Sequence, residues 1–147
     1  MTSTYRAASA RCPGCAGVME AEDAGGAEID RCPDCGGVWF DWFDGELGEL
    51  AGRARASDAG APPGGAHEAT GAPSCPRCGR GLEEARYHAG PVILRCGECA
   101  GAFVDRSSLA GLAATVDDDA EATPASPLAR FLAVLRRMFG APSPAPE

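Results

Sequence analysis

CPGCAGVMEAEDAGGAEIDRCPDCGGVWFD, residues 12–41, decides the fold. It holds two Cys-x-x-Cys pairs, Cys12/Cys15 and Cys32/Cys35, with sixteen residues between them. At that spacing two short knuckles can close around one tetrahedral ion, each supplying two thiolates. The pattern recurs as Cys75/Cys78 and Cys96/Cys99, with seventeen residues between the pairs. All eight cysteines are used this way, so two Zn2+ per chain are expected. Iron in a rubredoxin-like site would use the same four ligands and stays open as an alternative. A disulfide framework fits less well, because it implies an oxidising compartment and the chain starts MTSTYRAASA, with no apolar leader core. A thioredoxin-like pair would explain one Cys-x-x-Cys, not four, and no βαβ pattern surrounds any of them.

Composition excludes a single large core. The 147 residues include 20 Gly and 12 Pro, few aromatics and long Ala/Gly/Pro runs. Modules of about forty residues seldom fold on apolar burial alone, so metal ligation must supply much of the stability. No stretch approaches the roughly 18 apolar residues of a membrane span, and a soluble, cytoplasmic protein is expected. The formal charge is −8, and all thirteen basic residues are Arg. Each four-thiolate zinc site is net −2, which takes the loaded chain to about −12. Such a chain repels a phosphate backbone as a whole. The charge is uneven. Arg11–Leu50 holds two Arg against ten acidic residues, and Ser74–Ala113 holds five Arg against four. Only the second module could meet an anion. The plainer reading of Arg77, Arg80, Arg86, Arg95 and Arg106 is solvated side chains pairing locally with Glu83, Glu84, Glu98 and Asp105.

Superposing the two cysteine sets exposes an internal repeat. Cys-Pro-x-Cys opens both copies, Arg precedes the third cysteine, and Trp39-Phe40-Asp41 answers Phe103-Val104-Asp105. Short strands are predicted at Val18–Glu20 and Ala27–Arg31 around an Asp23–Gly26 turn, and at Leu82–Tyr87 and Pro91–Arg95. A third strand follows each fourth cysteine, its aromatic residue covering the metal site. A short helix comes next, over Asp44–Arg55 and Ser107–Thr115, with Asp44 and Ser107 or Ser108 as N-caps. The fold class is thus small and metal-stabilised: two zinc-ribbon-like β-hairpin modules, 11–55 and 74–115, each followed by a short helix. Ala56–Pro73 reads as a flexible linker that leaves the modules without a rigid interface. Residues 116–127, with Asp117–Asp119, read as disordered. Residues 128–140, PLARFLAVLRRMFG from Pro127, form an amphipathic helix with Phe131, Leu135 and Phe139 on its apolar face, and a Pro-rich tail fills 141–147.

The repeated signature resembles the transcription-factor-IIB-type zinc-finger module. The first copy matches through RCPDCGGVWFD, then departs with an insertion, Trp42-Phe43. The second is degenerate, with Gly97 for Pro, Ala100 for Gly and Phe103 for Trp, but it keeps every cysteine. The resemblance implies zinc binding and a ribbon-like fold, and it leaves activity undefined.

No catalytic constellation accompanies the cysteines. A catalytic zinc keeps one coordination position open, and four thiolates close each site here. His67 falls in the linker and His88 on a predicted hairpin turn. Asp41 and Asp105 recur at one repeat position, where a helix start or an Arg contact explains them better than acid–base work. Trp39 and one neighbour can fill the small core, which leaves Trp42 and Phe43 as candidate protein-binding anchors beside Phe131, Leu135 and Phe139. The expected function is a non-enzymatic, zinc-stabilised protein-interaction module. The alternative is a transcription-associated or nucleic-acid-binding protein using the arginines of the second module. Peripheral membrane contact by the last helix has only three arginines behind it.

Overall fold

The computed structural model describes residues 10–60 and 71–122, with side chains to residue 116. The expectations for residues 128–140, the Pro-rich tail and His67 lie outside the described residues.

Each copy forms three short strands and a helix. In the first these are β1 (Glu20–Asp23), β2 (Glu28–Arg31), β3 (Val38–Phe40) and α1 (Leu47–Ala56). In the second they are β4 (Glu83–Arg86), β5 (Val92–Arg95), β6 (Ala102–Val104) and α2 (Leu109–Ala122). The first hairpin starts two residues later than predicted, because Val18 makes only an isolated bridge to Arg11. Ser74 and Gly81 bridge in the same way in the second copy.

The expectation of two modules without a rigid interface is corrected. All six strands join one antiparallel sheet in the order β1-β2-β3-β6-β5-β4. The seam is β3 against β6, in the register Val38↔Val104, Trp39↔Phe103 and Phe40↔Ala102. The described residues of both copies fall inside one compact unit that ends at Val116. The physical reason is that a three-residue last strand cannot satisfy its outer edge alone. Pairing the two exposed edges removes both.

Strand periodicity sorts side chains onto the two faces. Ile29, Val38, Phe40, Ile93, Ala102 and Val104 point to one face and pack with Leu50, Ala51, Ala54, Leu109 and Leu112 of the helices. Trp39, Phe103 and Leu94 join the cysteines in a second cluster. All three residues of β3 and all three of β6 are buried, as expected of strands covered on both faces.

The helices also differ in detail from their predicted bounds. Glu46, not Asp44, caps α1, accepting the Glu49 N–H at 2.9 Å. Asp44 instead closes the preceding turn by accepting the Asp41 N–H at 2.9 Å. The second helix passes the predicted end at Thr115 and the supposedly disordered Asp117–Asp119, continuing to Ala122. The Ala-rich stretch after Leu112 favours helix, and no strong breaker appears before Pro124.

Candidate metal centres and the seam between them

Every cysteine pair sits in the same local turn. The N–H of the residue after the second cysteine bonds back to the first cysteine's carbonyl, at 2.8 Å for Ala16 and Gly36, 2.9 Å for Gly79 and 3.0 Å for Ala100. Those four residues have positive φ, between 56° and 74°. The turn also aims an amide at sulfur: the N–H groups of Gly14, Gly37, Arg77 and Cys99 lie 3.4 Å from Sγ of Cys12, Cys35, Cys75 and Cys96. Such N–H···S contacts stabilise thiolate charge and orient the ligand.

The turns bring the sulfurs together in two groups, Cys12/Cys15/Cys32/Cys35 and Cys75/Cys78/Cys96/Cys99, each spanning no more than 4.8 Å. Sulfurs stand 3.4 Å apart for Cys15–Cys32 and 3.6 Å for Cys12–Cys35 and Cys78–Cys96. Four sulfurs around zinc at about 2.3 Å stand roughly 3.8 Å apart, so both groups fit a tetrahedral zinc ion. All eight thiols are free, and the disulfide alternative falls away among them. Without a cation the thiols divide unequally. The Cys12 hydrogen bond pulls Cys35 down to about 5, while that same bond and burial push Cys12 up. Burial raises Cys32 to about 11 and Cys75 to about 12, whereas the Arg80 amide lowers exposed Cys78 to about 7. A divalent ion removes this conflict by accepting all four sulfurs as thiolates.

The covering aromatics are exchanged between copies. Phe103 lies on the first centre: a Cβ at Gly37 would overlap its ring, and one at Gly14 would come within 2.9 Å of Cζ. Trp39 lies against the second centre, where a Cβ at Gly101 would overlap the indole. The predicted role of the aromatics therefore holds, but each one reaches its neighbour's metal site.

Arg77 locks the seam. Its side chain is 3 % exposed, and it reaches from the second module's first knuckle to Asp30 and Asp41 of the first module. Nη2 donates to Asp41 Oδ2 at 2.9 Å and, more closely, to Asp30 Oδ2. Asp41 Oδ1 also accepts the Trp39 indole N–H at 2.9 Å. Burial opposes the guanidinium charge, but the hydrogen bonds it donates to Asp41 and the field of Asp30 outweigh it and hold its pKa above the ordinary value. The expectation of a solvated Arg77 is thereby corrected. Arg80 does pair locally, with Glu98 at 3.5 Å, whereas Arg106 crosses to Asp58 at 2.8 Å.

Asp41 and Asp105 occupy one repeat position but serve different ends. Asp41 holds Arg77 and Trp39, while Asp105 accepts the Ser108 N–H at 3.0 Å and its hydroxyl at 2.7 Å where α2 starts. His88 lies on the β4–β5 turn at φ 48°, stacked edge-on against Tyr87, and belongs to neither sulfur group. Trp39 and Phe40 are buried, whereas Trp42 and Phe43 are 68 % and 45 % exposed. Sequence reasoning offers an Arg contact for Asp41 but misses that the arginine is Arg77 and that Asp30 shares it. The signal of this cluster is a pair of complementary departures from the repeat, Arg77 for Gly14 and Asp30 for Leu94.

Fold and centres together define a tandem zinc ribbon, two four-cysteine sites carried on one sheet. The family model described as transcription factor zinc-finger, of the TFIIB zinc-ribbon type, matches residues 11–50 and 74–115. The chain belongs to that family, with two tandem copies. No curated protein and no solved structure matches it.

Proposed function

We propose that this chain is a non-enzymatic, zinc-stabilised scaffold that presents a surface to a protein partner. The observation that carries this reading is the exposure of Trp42 and Phe43 beside a sheet whose other aromatics are buried. Bulky rings held in water on a firm frame are the usual anchors of protein contacts. Closed four-thiolate sites leave no coordination position for a reacting group, which supports a structural metal. The sequestration of Arg77 removes one of the second module's five arginines, on which a nucleic-acid reading leans. A cytoplasmic setting accords with eight free thiols. Among the described residues no helix is long and apolar enough to cross a membrane.

Crosslinked capture with the wild-type chain and with Trp42→Ala/Phe43→Ala tests the reading. The variant should keep its zinc and its fold and lose the captured partner. Loss of folding would instead make the two rings part of the core.

A further inference from the structure

Trp42 and Phe43 have no counterpart in the second copy. Three residues separate Asp105 from Leu109 there, whereas five separate Asp41 from Leu47, both rings among them. The second copy builds its helix without them, so the helix does not require them. The rings brace each other edge-on, with centroids 5.9 Å apart and planes at 81°. Trp42 helps line a recess of about 220 Å³ whose other lining residues include Leu47, Ala102, Glu46, Tyr87 and Arg95. Asp44, Glu46 and Glu49 follow within seven residues of Trp42. Glu46 is exposed and its pKa is lowered: burial works against this, but the Tyr87 hydroxyl and the amides at the start of α1 prevail, keeping it charged.

An exposed indole beside carboxylates attracts a cation through its ring face as well as through charge. The first module strengthens this preference, with two Arg against ten acidic residues and a further net −2 from its zinc site. We propose that the Trp42–Phe43 face takes an arginine-bearing peptide segment of a protein partner. The guanidinium stacks on Trp42 and forks to the acidic residues at the start of α1, and an apolar neighbour enters the recess. Arginine is favoured over lysine because a planar guanidinium can stack and make paired hydrogen bonds at once. Arg95, the chain's own cation at the recess, donates through Nη2 to the Ala100 carbonyl at 3.3 Å. The recess lining therefore already holds a cation, and the ligand's arginine belongs on the exposed ring of Trp42. The proposal rests on the reading of this face as an interaction surface.

The full zinc-loaded chain reports on itself, since it has two tryptophans and Trp39 is buried. The probes are a short peptide of arginines spaced among leucines, its lysine twin and its glutamate twin, titrated at about 150 mM salt to screen long-range attraction. The arginine peptide should bind saturably and shift Trp42 emission, the lysine twin should bind more weakly, and the glutamate twin should not bind. By calorimetry, Trp42→Ala/Phe43→Ala, which leaves the charge unchanged, should weaken arginine-peptide binding roughly tenfold or more. Trp42→Gln alone, confirmed to hold two zinc ions, gives the same readout should the double variant misfold. Equal affinity of variant and wild type would reduce the attraction to net charge and overturn the proposal. If no peptide binds but partner capture still depends on Trp42 and Phe43, the arginine proposal fails and the interaction surface stands. If both fail, the surface reading falls with it.

Discussion

The ring of Phe103, from the second module's last strand, lies so close over Gly37 in the first module's second knuckle that a Cβ there would overlap it. With Trp39 lying over Gly101 in return, each metal centre is closed on one side by the other copy. The two centres therefore share one hydrophobic cluster, with Cys12, Cys15, Cys32, Cys75 and Cys96 all part of it. Each centre is thus covered by a strand of the other copy, so metal loss at one is expected to loosen the cover of the other.

Coupling predicts that damage to one site is felt at the other. Cys96→Ser/Cys99→Ser, which removes two ligands of the second site, should weaken zinc at the untouched Cys12/Cys15/Cys32/Cys35 site. A coupling of about 1–3 kcal/mol corresponds to roughly 5- to 150-fold in affinity. Chelator competition read by native mass spectrometry measures it. An unchanged first-site affinity would show that the copies load independently.

Chelation of the intact protein should give one cooperative loss of structure rather than two. Neither copy has a core of its own: Val38, Phe40, Ala102 and Val104 meet across the seam and pack under both helices. Small metal domains lose their fold with their ion. Far-ultraviolet circular dichroism and tryptophan emission followed against chelator should coincide, since buried Trp39 reports the seam. Two separated transitions would contradict a shared core.

Arg77→Ala leaves Asp30 and Asp41 facing each other in a buried site, and removing one partner of a buried ion pair costs about 3–5 kcal/mol. The expected result is a large loss of stability in zinc-loaded protein, measured by denaturant unfolding. Adding Asp30→Leu, the residue that the second copy carries at this position, should recover part of it, because the two substitutions remove members of one cluster. Strict additivity would argue against the cluster.

These contacts explain what is and is not legible in the sequence. The cysteine groups, the hairpins and the helix positions are local, fixed by turns and periodicity within each copy, and can be read there. Pairing of β3 with β6 leaves no periodic trace, because an edge strand looks the same whether its outer side meets solvent or another chain segment. Ala56–Pro73 reads as a spacer by composition, and composition says nothing about whether the segments it joins pack together. Arg77 reads as solvated because its carboxylates lie in the other copy. Only the paired departures at Gly14/Arg77 and Asp30/Leu94 hint at it. Asp44 is a sound cap by residue type, but Gly45 at φ 144° delays the helix and moves capping to Glu46.

Gly48 and Gly52 offer a contrast within one helix. A Cβ at Gly48 would come within 2.5 Å of Val116 Cγ2 and 3.1 Å of Thr115 Oγ1 on α2, so the two helices approach through the missing side chain. A Cβ at Gly52 would meet only the Ala113 methyl, at 4.0 Å. Glycine inside a helix costs about 0.5–1 kcal/mol relative to alanine, so Gly52→Ala should stabilise by about that amount. At Gly48 the same gain is outweighed by overpacking, which costs about 1–3 kcal/mol, and Gly48→Ala should destabilise. Thermal unfolding of the two zinc-loaded variants beside wild type decides the matter. Opposite shifts are expected, and a stabilised Gly48→Ala would mean that α1 and α2 do not pack at this contact.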